Sequence, residues 1–160
     1  AALSEIYNYY IRHSDCTFET ESLSPEQMTC RIQDSQDRGD PWLVLEDAGR
    51  IWGYAYACQF RARQAYRYTC EGSVYCRRDS LGRRLGQQLF QALIDRLRRD
   101  GRYYMLVGVI SGTNQPSIQL CERLGLTFAC VLPKVGRKNG KWLDTVYYYL
   151  QLQDHNTLSD

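Results

Sequence analysis

Apolar residues recur along this chain at two spacings, and the alternation between them marks out the elements. The first segment, Ser4 to Ile11 (SEIYNYYI), places Ile6, Tyr9, Tyr10 and Ile11 for a short helix, with Ser4 as its cap. Thr17 to Thr20 reads as a short extended piece. Ser24-Pro25-Glu26-Gln27 is a helix start, with serine at the cap and proline at the first helical position. That helix is predicted to run to about Asp37, with Met28 and Ile32 inward, and to stop at Arg38-Gly39-Asp40-Pro41. The pattern then tightens to strands. Trp42 to Glu46 (WLVLE) and Ile51 to Phe60 (IWGYAYACQF) flank an Asp47-Ala48-Gly49-Arg50 turn and predict a hairpin. Gly53 inside the second strand marks a bulge or the close approach of another backbone.

After the cation-rich loop Arg61 to Tyr66, a strand is predicted over Tyr68 to Cys76. A tight basic loop follows, carrying Gly82, Arg83, Arg84 and Gly86. Beyond Gly86, Leu89, Phe90, Leu93, Ile94 and Leu97 return at helical spacing, opposite a face of Asp95, Arg96, Arg98, Arg99 and Asp100. Gly101 ends that helix. Tyr104 to Ile110 is almost continuously apolar, as a central strand covered on both faces requires. Gln115 to Leu124 is a helix carrying Ile118, Leu120 and Leu124, closed by Gly125. Thr127 to Leu132 and Trp142 to Leu152 are two final strands, separated by a basic turn from Lys134 to Lys141. The order predicts a mixed sheet with helices on its faces, of α/β or α+β type.

The length of 160 residues suits one domain, taken here as 1–153, with 154–160 a polar tail. A net charge of +2 makes no electrostatic case for nucleic acid or an anionic membrane. Seven cysteines without a C-x-x-C pair suggest neither zinc nor a disulfide framework; reduced thiols in a cytoplasmic protein are the simplest reading, with no metal. No apolar run approaches a membrane span. His13 and His155 lie far from any motif and are assigned nothing.

The candidate chemistry sits on the strand–loop–helix from Glu71 to Asp100. A helix that opens directly after such a loop offers unpaired backbone N–H groups, and with Arg83 and Arg84 nearby it suits a pyrophosphate. The Rossmann and P-loop patterns are both missing. A solvated strand–helix connection remains the alternative reading of this stretch taken alone.

The pieces IYNYYI, TFET, PWLVLED, GYAYA, ARQAY, CEGSVY, GRRLG, Asn114 to Ser117, ERLGL and GRKNGKWLDTVYY, in that order, resemble the GCN5-related N-acetyltransferases. More narrowly, they resemble the branch that acetylates phosphinothricin and methionine sulfoximine. The resemblance implies a mostly antiparallel central sheet with helices on both faces and a splayed strand pair holding acetyl-CoA. It also implies a homodimer, and a first strand lying upstream of IYNYYI.

For the cofactor, the resemblance implies Val74, Tyr75 and Cys76 at the pantetheine arm. Gly82, Arg83, Arg84, Leu85, Gly86 and Gln87 fall at the pyrophosphate, and Asn114 at the next helix. Glu71, the acid of the E-x-x-V-Y pattern, is implied as the general base. Arg61, Arg63 and Ser73 fall where the branch binds its amino-acid acceptor. Two loop positions depart from the family's glycine-rich pattern. Leu81 stands at its first position, and Arg84 replaces its first glycine. Cys121 stands where relatives often carry Tyr or His, a proposed acid for the leaving thiolate, and reads here as a buried helix thiol. The expected reaction is transfer of acetyl to the amine of a small amino acid or analogue. Another amine acceptor, such as a protein N-terminus or a polyamine, and a catalytically weak acyl-CoA-binding protein are the alternatives.

Overall fold

The computed structural model describes residues 1–80 and 82–154. Leu81 and His155 lie outside the described residues, as does the tail beyond residue 154. Four α-helices and six strands follow one another as α1 (Ala2–His13), α2 (Pro25–Asp37), β1 (Trp42–Asp47), β2 (Arg50–Gln59), β3 (Thr69–Cys76), α3 (Leu85–Asp100), β4 (Met105–Ser111), α4 (Gln115–Arg123), β5 (Thr127–Lys138) and β6 (Lys141–Gln151). The strands form one sheet in the order β1-β2-β3-β4-β6-β5. Every neighbouring pair is antiparallel except β3 with β4.

Strand alternation divides the core between the two faces. On one face α3 buries Leu89, Phe90, Leu93, Ile94 and Leu97 in a cluster with Ala55, Ala57, Cys70 and Leu106, and Leu85 is buried at its start. Each such side chain contributes about 1.5–3 kcal/mol when fully withdrawn from water. On the other face α1 and α2 pack Ile6, Tyr7, Ile11 and Met28 against Tyr54. The capping box of α2 is present as the sequence predicts: the Ser24 side chain accepts from the Gln27 amide, and the Gln27 side chain accepts from the Ser24 amide.

Three local expectations are corrected. Ser4 is not a cap; it lies inside the first turn of α1, where its Oγ donates to the Ala1 carbonyl at 2.7 Å. Thr17 to Thr20 joins no strand and belongs to the loop between α1 and α2. The stretch from Lys134 to Lys141 is mostly strand, because the reversal is made by Asn139 and Gly140 alone, at φ 50° and 76°. That pair is a hairpin turn signal that outweighs the run of cations around it.

Both sequence readings of Gly53 hold. The register slips between Leu45 and Glu46, leaving Trp52 as the extra residue of a bulge. A Cβ at Gly53 would also lie 2.7 Å from the Tyr75 carbonyl oxygen and 2.9 Å from Cys76 Sγ. Only glycine lets β2 approach the end of β3 this closely.

Candidate active site

β3 and β4 pair only over Thr69–Glu71 and Met105–Val107. Beyond those residues β3 runs on to Cys76 and β4 to Ser111 without bonding each other, and the sheet opens into a fork. Gly72 stands where they part. A Cβ there would lie 2.9 Å from Leu106 Cδ1 and 3.0 Å from Phe90 Cε2.

Hydrogen-bond alternation decides which amides face the opening. Phe60 N–H donates to the Thr69 carbonyl and Arg77 N–H to the Trp52 carbonyl, so the odd-numbered residues of β3 bond toward β2. Val74 and Cys76 therefore turn their N–H and C=O groups into the fork, while the Gly72 N–H closes the parallel ladder at Val107. The Cys76 carbonyl accepts from the Tyr10 hydroxyl at 2.6 Å. The side chains follow the opposite division. Val74 and Cys76 lie on the α3 side, while Glu71, Ser73 and Tyr75 lie on the α1/α2 side, where the Tyr75 ring meets Tyr7, Tyr10 and Tyr54.

A cavity of about 220 Å³ occupies the fork. It is lined by Gly72, Ser73, Val74 and Tyr75 of β3, by Val109 and Ile110 of β4, and by Asn114, Leu120 and Cys121 at α4. Tyr10 and Cys16 close it from the α1 side. A second cavity, also about 220 Å³, continues from it through Tyr10, Val74, Ser117 and Leu120 to the loop before α3. Gly82, Arg84, Leu85, Gly86 and Gln87 line this end, with Arg77 and Ser80 beside them and Arg123 across the groove.

The start of α3 carries no side-chain cap, so its first amides stay open at the groove. Helix dipole, open amides and the Arg84 side chain together suit an anion. Arg84 is itself the N-cap and adopts φ 56° and ψ 24°, the left-handed conformation that a glycine would take at no steric cost. The departure from the glycine pattern is thus accommodated in the backbone. Arg83 turns away from the groove and stacks on Trp52 at 4.4 Å, on a ring whose other neighbour is Arg50 at 4.2 Å.

Glu71 lies at the base of the fork, beside Cys58 in the β2–β3 register. Burial raises its pKa above the ordinary carboxylate value, and the Arg61 guanidinium acts against that rise. Arg61 also lies over the Phe60 ring at 4.7 Å. Arg63 is exposed at the start of a 3-10 turn, Gln64–Tyr66, and lines neither cavity. Asn114 serves as the cap of α4, its Oδ1 accepting from the Ser117 amide at 3.3 Å, while also facing the fork. Cys121 is buried, and burial pushes its thiol up to about 12. Proton transfer from it to an ordinary thiolate, whose pKa is about 8.5, runs uphill.

The sequence reading missed Tyr10, Cys16, Arg77, Ser80, Ser117 and Arg123. Pro116, Leu120 and Arg123 recur on one face of α4, a helical spacing that would have flagged that wall. Tyr10 and Cys16 carry no local signal, since tertiary packing brings α1 to the fork.

A sheet parted between β3 and β4, with the main-chain groups of Val74 and Cys76 in the opening and an uncapped helix start at its end, defines a protein built to hold an extended ligand that ends in an anion. Residues 1–147 match the acetyltransferase (GNAT) domain, and the chain belongs to that family. It is 37% identical over 155 residues to an L-methionine sulfoximine/L-methionine sulfone acetyltransferase of Salmonella typhimurium, covering 97% of this chain and 90% of the relative. It is 37% identical over 145 residues to a phosphinothricin N-acetyltransferase of Alcaligenes faecalis, covering 91% and 74%. Among solved structures, a phosphinothricin acetyltransferase from Sinorhizobium meliloti in complex with acetyl-CoA superposes with a TM-score of 0.91 at 31% identity, covering 98% of this chain and 84% of that one. The sheet described above is the family's mixed, mostly antiparallel architecture, and acetyl-CoA is its acyl donor.

Proposed function

We propose that this acetyltransferase moves the acetyl group of acetyl-CoA to the amine of a small amino acid or analogue, of the phosphinothricin and methionine sulfoximine kind, within a ternary complex. The observation that carries the proposal is the fork itself. The amides of Val74 and Cys76 open toward the groove beyond the last β3–β4 pair, while Glu71 and Ser73 stand on the other face of the same strand. A thioester lying in the groove then presents its carbonyl through the sheet to an amine on the α1/α2 side.

Glu71 is the general base. Its raised pKa brings its basicity closer to that of the amine, directly or through one water. The amine nitrogen attacks the thioester carbon, Glu71 takes the proton, and the carbon–sulfur bond breaks to release CoA thiolate. The amides of Val74 and its neighbours hold the developing oxyanion. Cys76 continues the pantetheine arm through its backbone, while Tyr75, whose main chain bonds β2, only lines the fork. Gly82, Arg84, Leu85, Gly86 and Gln87 take the pyrophosphate, with Asn114 at the far wall. Arg83 serves the phosphates only from outside the groove. Arg61 and Arg63 grip the acceptor carboxylate, and Ser73 orients the amine. The Arg61 charge beside Glu71 disfavours a polyamine.

The reading extends to the whole molecule as one domain over 1–153, a cytoplasmic enzyme with no nucleic-acid or membrane partner. Its seven free thiols and small net charge support this. It also extends to a homodimer. Phe128, Val131, Leu132, Val135 and Trp142 are exposed on the β5–β6 hairpin, an apolar surface suited to a second copy. Trp142→Glu is expected to shift the chain to monomer in light scattering, whereas a wild-type monomer at micromolar concentration would overturn the assembly. The function is tested by CoA thiol release with phosphinothricin, methionine sulfoximine and a panel of amino acids. Turnover of one acceptor that collapses in Glu71→Gln supports it. Acetyl-CoA binding without turnover of any amino acid overturns it.

A further inference from the structure

The loop between α1 and α2 forms the acceptor-side wall of the fork, through Cys16. It is held from an unexpected direction. Lys138, the last residue of β5, is 3% exposed and reaches across to donate from Nζ to the Ser14 carbonyl at 2.9 Å and the Thr17 carbonyl at 2.7 Å. Two residues earlier, Gly136 lies beneath the Phe18 ring so closely that any Cβ there would collide with it. The irregular register between Leu132 and Gly136 brings this glycine into place, with the Lys134 amide donating to Asp144 Oδ1 at 2.8 Å. Burial of an ammonium is costly unless its donors are satisfied. Among the described residues no carboxylate lies within ion-pair distance of this one. Asp15, Cys16 and Glu19 act on it through space only, and Glu19 is engaged by Arg31 at 2.7 Å. The lysine thus bonds the loop backbone rather than a counter-ion.

We infer that Lys138, with Gly136 beneath Phe18, is a positioning clamp that sets the α1–α2 loop as the wall of the acceptor site. The inference rests on the amino-acid acetyltransferase reading. The flanking helices also tether this segment, Tyr7 to the Thr17 hydroxyl at 3.0 Å, Asn8 to both main-chain groups of Leu23 at 2.8 Å and Arg31 to Glu19 at 2.7 Å. The two contacts from the distant hairpin hold its Ser14–Phe18 part from the opposite side. Releasing the clamp leaves two carbonyls without their donors, and the loop moves outward to reach water. The acceptor then meets a looser wall, while the cofactor groove on the α3/α4 side keeps its amides. The clamp acts through the loop and touches no reacting atom.

The test uses the full chain and three variants, Lys138→Met, Lys138→Arg and Gly136→Ala. Steady-state kinetics are expected to give an acceptor KM raised about tenfold in the Met and Ala variants, the loss of roughly one buried charged hydrogen bond. The KM for acetyl-CoA and kcat are expected to stay near wild type. Lys138→Arg keeps donors for the two carbonyls and is expected to restore much of the acceptor KM. Iodoacetamide labelling read by mass spectrometry gives a measure independent of activity. Cys16 is expected to react several-fold faster in the Met and Ala variants, with the exposed Cys30 and Cys130 unchanged as internal references. An acceptor KM at the wild-type value with unchanged Cys16 labelling overturns the clamp. So does an equal acceleration at all thiols with a fall in kcat alone, since that is general loosening. Gly136→Ala keeps the test open if Lys138→Met does not fold. If no amino acid is turned over by the wild-type enzyme, the functional reading fails separately, and Cys16 labelling still decides the clamp.

Discussion

Arg84→Gly separates two effects that share one residue. At φ 56° and ψ 24° an arginine carries left-handed strain of about 1–2 kcal/mol relative to its preferred conformations. Glycine removes that strain but adds about 0.4–1 kcal/mol of conformational freedom to the unfolded chain. The net expectation is a gain of about 0.5–1 kcal/mol in stability, a rise of roughly 2–3 °C in Tm for a chain of this size. Binding is expected to move the other way. The guanidinium lines the groove beside the open amides of Leu85, Gly86 and Gln87, and its exposure limits its contribution to a phosphate to about 1 kcal/mol, or about fivefold in Kd. Urea titration measures the first effect and isothermal titration with acetyl-CoA the second. Repeating the titration at 0.5 M salt should narrow the affinity difference, because an exposed charge is screened there. Tighter acetyl-CoA binding by Arg84→Gly would refute the reasoning, since it would mean that the side chain obstructs the phosphates.

Two more substitutions test the fork. Glu71→Gln is expected to lower kcat by about 10²–10⁴-fold, while wild-type activity rises with pH through a midpoint above the ordinary carboxylate value of 4.5, measured by CoA release across a pH series. Because the folded pKa of Glu71 is raised, its proton favours the folded state at low pH and that contribution disappears as pH climbs through the folded pKa. The same glutamine variant is therefore expected to lose no stability at pH 7, as denaturant titration would report. Gly53→Ala is expected to destabilise by about 1–3 kcal/mol, because its Cβ would press on the Tyr75 carbonyl and Cys76 Sγ, and the same titration checks it.

Legibility followed the range of the interaction. The α3 segment could be read because six buried residues recur on one face and Gly101, at φ 67°, ends the helix in the left-handed conformation that glycine favours. The cap of α2 was equally local. The start of α3 was read one residue late, at Gly86 rather than Leu85, because Arg84 took the left-handed turn that the eye assigns to glycine. The basic run near the end was read as a turn by its charge, whereas a two-residue Asn-Gly reversal leaves the cations on paired strands. Asn114 carried two readings, cap and groove residue, and both describe it.

Periodicity, turn residues and the ordered pieces around Glu71 and the loop to Gln87 determined the elements, their order and the family in the sequence itself, because each depends on neighbours a few positions apart. The register of β3 decided what no local pattern encodes. Pairing with β4 stops after Glu71, which turns the amides of Val74 and Cys76 into a groove and sends Glu71 and Ser73 to the opposite face. Tertiary packing alone brought Tyr10 and Cys16 to that groove, stacked Arg83 on Trp52, and set Lys138 against carbonyls more than 120 residues earlier in the chain. Contacts at such separations are fixed by the closing of the whole sheet, and the chain's local chemistry leaves no trace of them.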